Sequence, residues 1–322
     1  MLKKLLAAGA ALALSLCASA QDYPTHTVTV VVPFAAGGPT DTVTRLIAQS
    51  MTKTLGHTVI VENVAGAGGT IGVEKVAKAK PDGYTLLLMH IGISTAPSLY
   101  RNLRYDPVKE LSPIGLVTNV PMTVIGNKDF PPKDMKELIA YVKANKDKVT
   151  YANAGVGAAS HLCGMLLMTA IGTDVTTVPY KGTGPAMTDL IGGQVNFMCD
   201  QTTNTTPQIK GGKVKAYAVT TRQRLKTLPE VPTAAESGLQ NFEVTVWHGM
   251  WAPHGTPKPV MDKLVAALQT ALKDPSVVKK FEELGTEPAP QSDATPEALD
   301  KQLRTEITKW APIIKKAGVY AD

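Results

Sequence analysis

The sequence predicts an α/β protein of two lobes, each built on a mixed, mostly parallel sheet. Three observations point there. Short apolar or β-branched runs alternate with helical periods over most of the chain. The strands read as nearly unbroken apolar runs, the pattern of sheets covered on both faces. The chain has 322 residues, enough for about two domains at roughly 150 residues each.

The elements follow in order. Residues 28–34 form a β-branched strand, and 41–55 a helix with Val43, Leu46, Ile47, Met51 and Leu55 at helical spacing. Strands over 57–62 and 84–89 flank a second helix that stops before Pro81-Asp82-Gly83. Helices are predicted over 135–146, 161–170 and 186–191, with strands over 149–153, 174–179, 195–198 and 215–220. After an extended stretch at 242–247 the chain turns helical, over 260–272, 276–284 and 296–316. Such a tail packs back on the first lobe. The predicted division is residues 21–120 plus 245–322 for lobe 1 and 121–244 for lobe 2. Extended crossings near 117–122 and 243–246 serve as a two-strand hinge.

The amino terminus reads as an address. Lys3 and Lys4 precede an apolar run from Leu5 to Leu16, and Ala18-Ser19-Ala20 supplies the small residues of a cleavage site, placing the cut after Ala20. Leu16 before Cys17 is too large for lipid attachment, so an exported, unanchored protein is expected. No interior run reaches the roughly 20 apolar residues that span a bilayer. The formal charge of +6 is dispersed, and no aromatic residues interleave the basic clusters, which argues against nucleic acid as a partner. Past the leader only Cys163 and Cys199 remain. One disulfide is arithmetically possible in an oxidising compartment, but both lie in apolar stretches and read as two buried thiols.

Two glycine-rich turns carry the functional signal: Pro33-Phe-Ala-Ala-Gly37-Gly38-Pro39-Thr40-Asp41, and Tyr151-Ala-Asn-Ala-Gly155-Val-Gly157-Ala-Ala-Ser160-His161. Each follows a strand and opens a helix. Glycine lets backbone N–H groups approach a ligand, and a helix N-terminus offers unpaired donors, so the pair suits an anion held between lobes. Thr40, Asp41 and Ser160 also suit helix caps. The turn Gly66-Ala-Gly68-Gly69-Thr-Ile71-Gly72 imitates a dinucleotide fingerprint but has Ile71 where glycine is required. No P-loop and no G-x-S-x-G elbow occur, and His161-x-Cys163 lacks further metal ligands, so neither cofactor nor metal is expected. His248, between Trp247 and Gly249-Met-Trp251, reads as interlobe packing. The polar run Thr202–Thr206 donates into a cleft or caps a helix.

At these residues the chain resembles a known family, the Bug proteins, extracytoplasmic solute receptors of tripartite tricarboxylate transporters. The matching motifs are Val32-Pro-Phe-Ala-Ala-Gly-Gly-Pro-Thr-Asp41, Val61-Glu-Asn63, Gly66-Ala-Gly-Gly69, Pro81-Asp-Gly-Tyr-Thr-Leu86, Tyr105-Asp-Pro-Val-Lys109, Tyr151-Ala-Asn-Ala-Gly155, Val178-Pro-Tyr-Lys-Gly182, Leu190-Ile-Gly-Gly-Gln-Val195 and Leu228-Pro-Glu-Val-Pro-Thr233. The resemblance implies a class II-like, two-lobed periplasmic binding protein, monomeric and without catalytic residues. It would capture a small organic carboxylate and deliver it to large and small membrane subunits. The family's carboxylate contacts transfer to Phe34, Gly37, Gly38 and Thr40, with Asp41 just behind. On the second lobe they transfer to Ala154, Gly155, Gly157, Ser160 and His161. The variable part of the cleft falls to His90, Gly92, Ser94, Asp200 and Gln201.

The ligand stays open between an amino acid and a di-, tri- or aromatic carboxylate. An ammonium would need a carboxylate partner, for which Asp41 and Asp200 are the candidates. His90 and the Thr-Asn run favour a dicarboxylate. Two other readings compete: an exported dehydrogenase or hydrolase using the 66–72 turn or Ser160/His161, and a ligand-presenting partner of a membrane sensor kinase.

Overall fold

The computed structural model describes residues 23–321. The expected leader, its cut after Ala20 and Cys17 lie outside the described residues. The strands are β1 (Val28–Val32), β2 (Val59–Asn63), β3 (Thr85–His90), β4 (Leu111–Asn127), β5 (Thr150–Asn153), β6 (Thr176–Pro179), β7 (Phe197–Gln201), β8 (Val214–Val219) and β9 (Thr245–Pro253). The helices are α1 (Pro39–Leu55), α2 (Thr70–Ala77), α3 (Gly92–Leu99), α4 (Met135–Ala144), α5 (Ala159–Ile171), α6 (Thr183–Ile191), α7 (Thr202–Lys210), α8 (Lys258–Ala271), α9 (Pro275–Glu283) and α10 (Pro296–Ala317).

Two mixed sheets share one long strand. In the first, β1 lies parallel between β2 and β3, with Val30 opposite both Val61 and Leu86. Strand β9 joins β3 antiparallel, and residues 111–121 of β4 join β9 antiparallel. The remaining residues of β4 enter the second sheet, antiparallel to β7 and β8, while β5 runs parallel to β7 and β6. This gives the two-lobed architecture, with β4 passing from one lobe to the other.

Burial explains the apolar strands. Val30, Leu86 and Leu88 pack with Val43 and Ile47 of α1 and Leu264 and Leu268 of α8. On the opposite face Val31, Leu87 and Met89 pack with Val73 and Val76 of α2 and with Leu303 and Ile314 of α10. The terminal helix thus covers the first sheet, as its amphipathic period requires. Each fully buried Leu or Ile here stabilises the fold by about 1.5–3 kcal/mol.

Three features depart from the sequence reading. Helix α3 went unexpected because Gly92 opens it and Pro97 sits inside it, two residues that depress helix propensity. Helix α7 begins at Thr202, so the polar run 202–206, expected to donate into a cleft or cap a helix, is itself helical. Threonine and asparagine are weak helix formers, but Thr202–Thr206 are all buried, and the hydroxyls of Thr202, Thr205 and Thr206 find partners. Thr202 and Thr206 donate to Gly285 O and Leu284 O, and Thr123 donates to Thr205. Finally, Cys163 and Cys199 are joined in a disulfide, which corrects the expectation of two separate thiols. Helix α5 packs on β7 and brings the two Cα atoms to 6.1 Å, inside the range a disulfide spans.

Candidate functional site

Four helices begin around one cavity. Its lining includes Gly38, Pro39, Thr40 and Asp41 at the start of α1 and Ala159 and Ser160 at the start of α5. Thr183 opens α6, and Asp200 and Gln201 lead into α7. None of these helices has a side-chain cap. Of the helices that begin elsewhere, α4, α9 and α10 are capped by Asp134, Asp274 and Thr295, while α2, α3 and α8 are not capped by a side chain. Each uncapped N-terminus presents unpaired amides and roughly half a positive charge. The cavity is small, and residues from both sheets line it.

The wall from the first sheet is a set of donors. Asp41 contributes no unpaired charge: its Oδ2 accepts from Gly37 N–H and Arg45 Nε, and its Oδ1 from Asn63 Nδ2. Burial alone would raise this carboxyl, but hydrogen bonds from Arg45, Gly37 and Asn63, with the Arg45 charge, outweigh it and hold the pKa below its ordinary value. Asp41 is therefore a carboxylate with its own counter-ion. It ties down the glycine turn rather than offering charge to a ligand. Gly92 N–H donates to Nδ1 of His90, so a neutral His90 carries its proton on Nε2. Burial pushes His90 down to about 4, which keeps it neutral at pH 7. Its ring stacks on Phe34 at 4.8 Å and meets His248 edge-on at 5.8 Å. His248 lies on β9, and Thr40 Oγ1 is 3.3 Å from its Nε2.

The wall from the second sheet carries donors as well as two unpaired acceptors. Asp200 and Gln201 end β7, 1% and 2% exposed. Asn204 Nδ2 donates to Asp200 Oδ2 at 2.6 Å. Asp200 Oδ1, Gln201 Oε1 and Thr183 Oγ1 are buried with no hydrogen-bond partner among the described residues. Burial raises the Asp200 carboxyl to about 6, against the pull of Asn204, the Gln201 backbone and the nearby Thr183 hydroxyl. Ser160 Oγ accepts from Ala154 N–H, leaving its own proton to donate.

The two walls meet along a tight seam. Ala35 N–H donates to Lys181 O, Tyr100 OH to Val156 O, and Thr95 Oγ1 to Gly157 O. A Cβ on Gly184 would stand 2.7 Å from Ala36 O, and one on Gly68 would stand 1.9 Å from Val156 O. Only glycine permits that approach. The 66–69 turn is thus pressed against 155–157.

Of the residues singled out in the sequence, Phe34, Gly38, Thr40, Asp41, His90, Ala154, Ser160, Asp200 and Gln201 come together in the lining. The others stand behind it. Gly37 is exposed and bonds Asp41, and Gly92 bonds His90. Ser94 Oγ donates to Ile91 O, and Gly155 N–H to Asn153 Oδ1. Gly157 N–H donates to His161 Nδ1 at 3.4 Å, and burial holds that imidazole below its usual pKa. Three lining residues were missed: Pro39, Ala159 and Thr183. Thr183 had a readable signal, since Gly182-Thr183 follows a strand and opens a helix, as at the two recognised turns. Among the described residues no cluster of His, Cys, Asp and Glu could hold a metal ion, and no helix is long and apolar enough to cross a membrane.

Comparison with known proteins agrees with this architecture. The chain is 57% identical over 302 residues to a UPF0065 protein in the TAR-I ttuE-ttuC' intergenic region of Agrobacterium vitis, spanning 94% of this chain and 87% of that one. It superposes on the structure of the periplasmic binding protein BugD with a TM-score of 0.91 at 59% identity, covering 93% of this chain and all of that one. For MatC of Rhodopseudomonas palustris with bound malate the TM-score is 0.88 at 43% identity, covering 91% of this chain and all of that one. A family profile described as tripartite tricarboxylate transporter family receptor matches residues 43–319. The resemblance read from the motifs holds, and the chain belongs to this family of transporter receptors.

Proposed function

We propose that the protein is a periplasmic solute receptor that closes on an organic carboxylate, without transforming it, and delivers it to the large and small membrane subunits of a tripartite tricarboxylate transporter. Its leader directs export and is removed after Ala20. The lobes are residues 21–120 with 245–322, and residues 121–244, and they hinge where β4 and the start of β9 cross between them. Gly38, Thr40 and the Asp41 amide hold one carboxylate from the first lobe. Ala154, Ser160, Asp200 and Gln201 meet the ligand from the second, and Phe34 and His90 line its side. Gly37, Gly92, Ser94, Gly155, Gly157 and His161 shape those contacts from behind.

The observation that carries this reading is the convergence of four uncapped helix N-termini on one cavity. Anions settle at such ends because the amides are unpaired and the dipoles add. The malate bound by MatC supports a dicarboxylate. Ligand contacts to both walls favour the shut state over the open one, which is how capture becomes closure. Isothermal titration of the mature chain against di-, tri- and aromatic carboxylates tests it. One-site saturable binding of at least one acid is expected, and folded protein that binds none of them contradicts the reading.

A further inference from the structure

Donors line both sides of the cavity, but its unpaired acceptors lie on one side only. On the first-sheet side the groups are donors: the amides at the start of α1 and the protonated Nε2 of His90. On the second-sheet side two of the buried atoms are acceptors without partners, Asp200 Oδ1 and Gln201 Oε1. Ionised Asp200 has no proton to give, and the groups acting on it are all neutral: Asn204, the Gln201 backbone and Thr183. A buried acceptor left unpaired is costly, and a buried charge without an opposite charge more so. An acid whose only polar groups are carboxylates is met by the helix-terminal amides, His90, Ser160 and Thr183, but leaves Asp200 Oδ1 and Gln201 Oε1 unanswered. It would also set oxygen against oxygen.

We infer that Asp200, with Gln201 beside it, is the specificity-determining contact, and that it selects carboxylates bearing a proton donor, a hydroxyl or an ammonium, on the carbon chain. This deepens the carboxylate reading and rests on it. The donor engages Asp200 Oδ1 while Asn204 keeps Oδ2 in place. The orientation of the ligand is thereby fixed: its carboxylate lies towards α1 and its donor towards the end of β7. Asp41 cannot exchange roles with Asp200, because Arg45, Asn63 and Gly37 already occupy its oxygens.

Succinate, malate and aspartate share a four-carbon dicarboxylate frame and differ only in carrying no donor, a hydroxyl or an ammonium. Calorimetric titration of the mature chain at pH 7.5 is expected to show malate, aspartate or both binding roughly ten- to a hundredfold more tightly than succinate. Asp200→Asn is expected to abolish a preference for aspartate, because its amide cannot pair an ammonium charge. Asp200→Leu, which cannot accept at all, is expected to abolish a preference for malate as well. The melting temperature of each variant verifies folding, and the wild-type selectivity stands as a test if either variant fails to fold. Succinate binding as tightly as both substituted acids would overturn the inference while leaving the carboxylate reading intact. So would selectivity that survives both substitutions. Failure of every carboxylate to bind would instead remove the underlying reading.

Discussion

Asn204 Nδ2 donates to Asp200 Oδ2 at 2.6 Å, while Oδ1 of the same carboxylate has no partner among the described residues. Half of this buried acid is therefore built into the scaffold and half faces the cavity. The fold tolerates the arrangement at a cost, which makes it a measurable mark of function.

The cost has a pH signature. Burial raises Asp200 from 3.8 to about 6, so the native state holds this proton more tightly than the unfolded chain does. Its contribution to stability is most favourable below pH 4 and is lost as pH rises through 6, an effect of about 3 kcal/mol. Asp200→Asn removes the penalty. Calorimetry of ligand-free protein should find the variant melting above wild type at pH 8, with the gap shrinking towards pH 4. An equal gap at both pH values would contradict this.

His90 works in the opposite direction. Burial lowers it to about 4, so between pH 6.5 and 4 the unfolded chain takes up a proton that the native state refuses. Stability attributable to His90 is present above 6.5 and lost as pH falls through this window, by about 3 kcal/mol. His90→Gln should flatten the acid limb of the stability profile measured by urea midpoints. A limb as steep as that of wild type would count against a neutral buried imidazole.

The disulfide closes a sequence separation of 36 residues and ties α5, which carries Ser160, to β7, which carries Asp200. Removing both cysteines as Cys163→Ala/Cys199→Ala should lower stability by about 2–4 kcal/mol. Ligand affinity should fall as well, since the two parts of the second wall lose their link. A reductant should reproduce both effects in the parent protein. Unchanged urea midpoints under reduction would show that the bond does not bear on stability.

The two walls meet backbone against backbone at Gly184, and the proposed closure would depend on that approach. Gly184→Val places a side chain against Ala36 O and Gly38 N in the shut form and adds only a solvent-facing group in an open one. We expect ligand affinity to drop by tenfold or more while ligand-free stability changes by about 1 kcal/mol or less. Titration and thermal melts separate the two. Unaltered affinity would place the seam outside the binding step.

Much of this molecule is legible in its sequence, for physical reasons that differ by element. Strand β3 and helices α1 and α10 are long, periodic and fully committed to burial, so pattern alone finds them. Helix α7 is held by hydroxyl partners far away in sequence, such as Leu284 and Gly285, and no local rule sees those. The disulfide is of the same kind, since a separation of 36 residues says nothing about which faces meet. In the site, strand ends and glycine turns indicate Gly38, Thr40, His90 and Asp200. The different fates of the two carboxylates are only partly written there. Arg45 stands four residues after Asp41, the spacing of a helical ion pair, so that partnership is readable. The isolation of Asp200 depends on which side chains the fold keeps away from it.

The central claim is that uncapped helix N-termini from two lobes hold one organic acid between them. A crystal structure of the mature chain with its tightest-binding acid tests it most directly. The account predicts a ligand carboxylate about 3 Å from amide nitrogens within 38–41 and the rest of the molecule against Asp200 and Gln201. An acid bound elsewhere, or held in this cavity with its carboxylates turned away from α1, would contradict it.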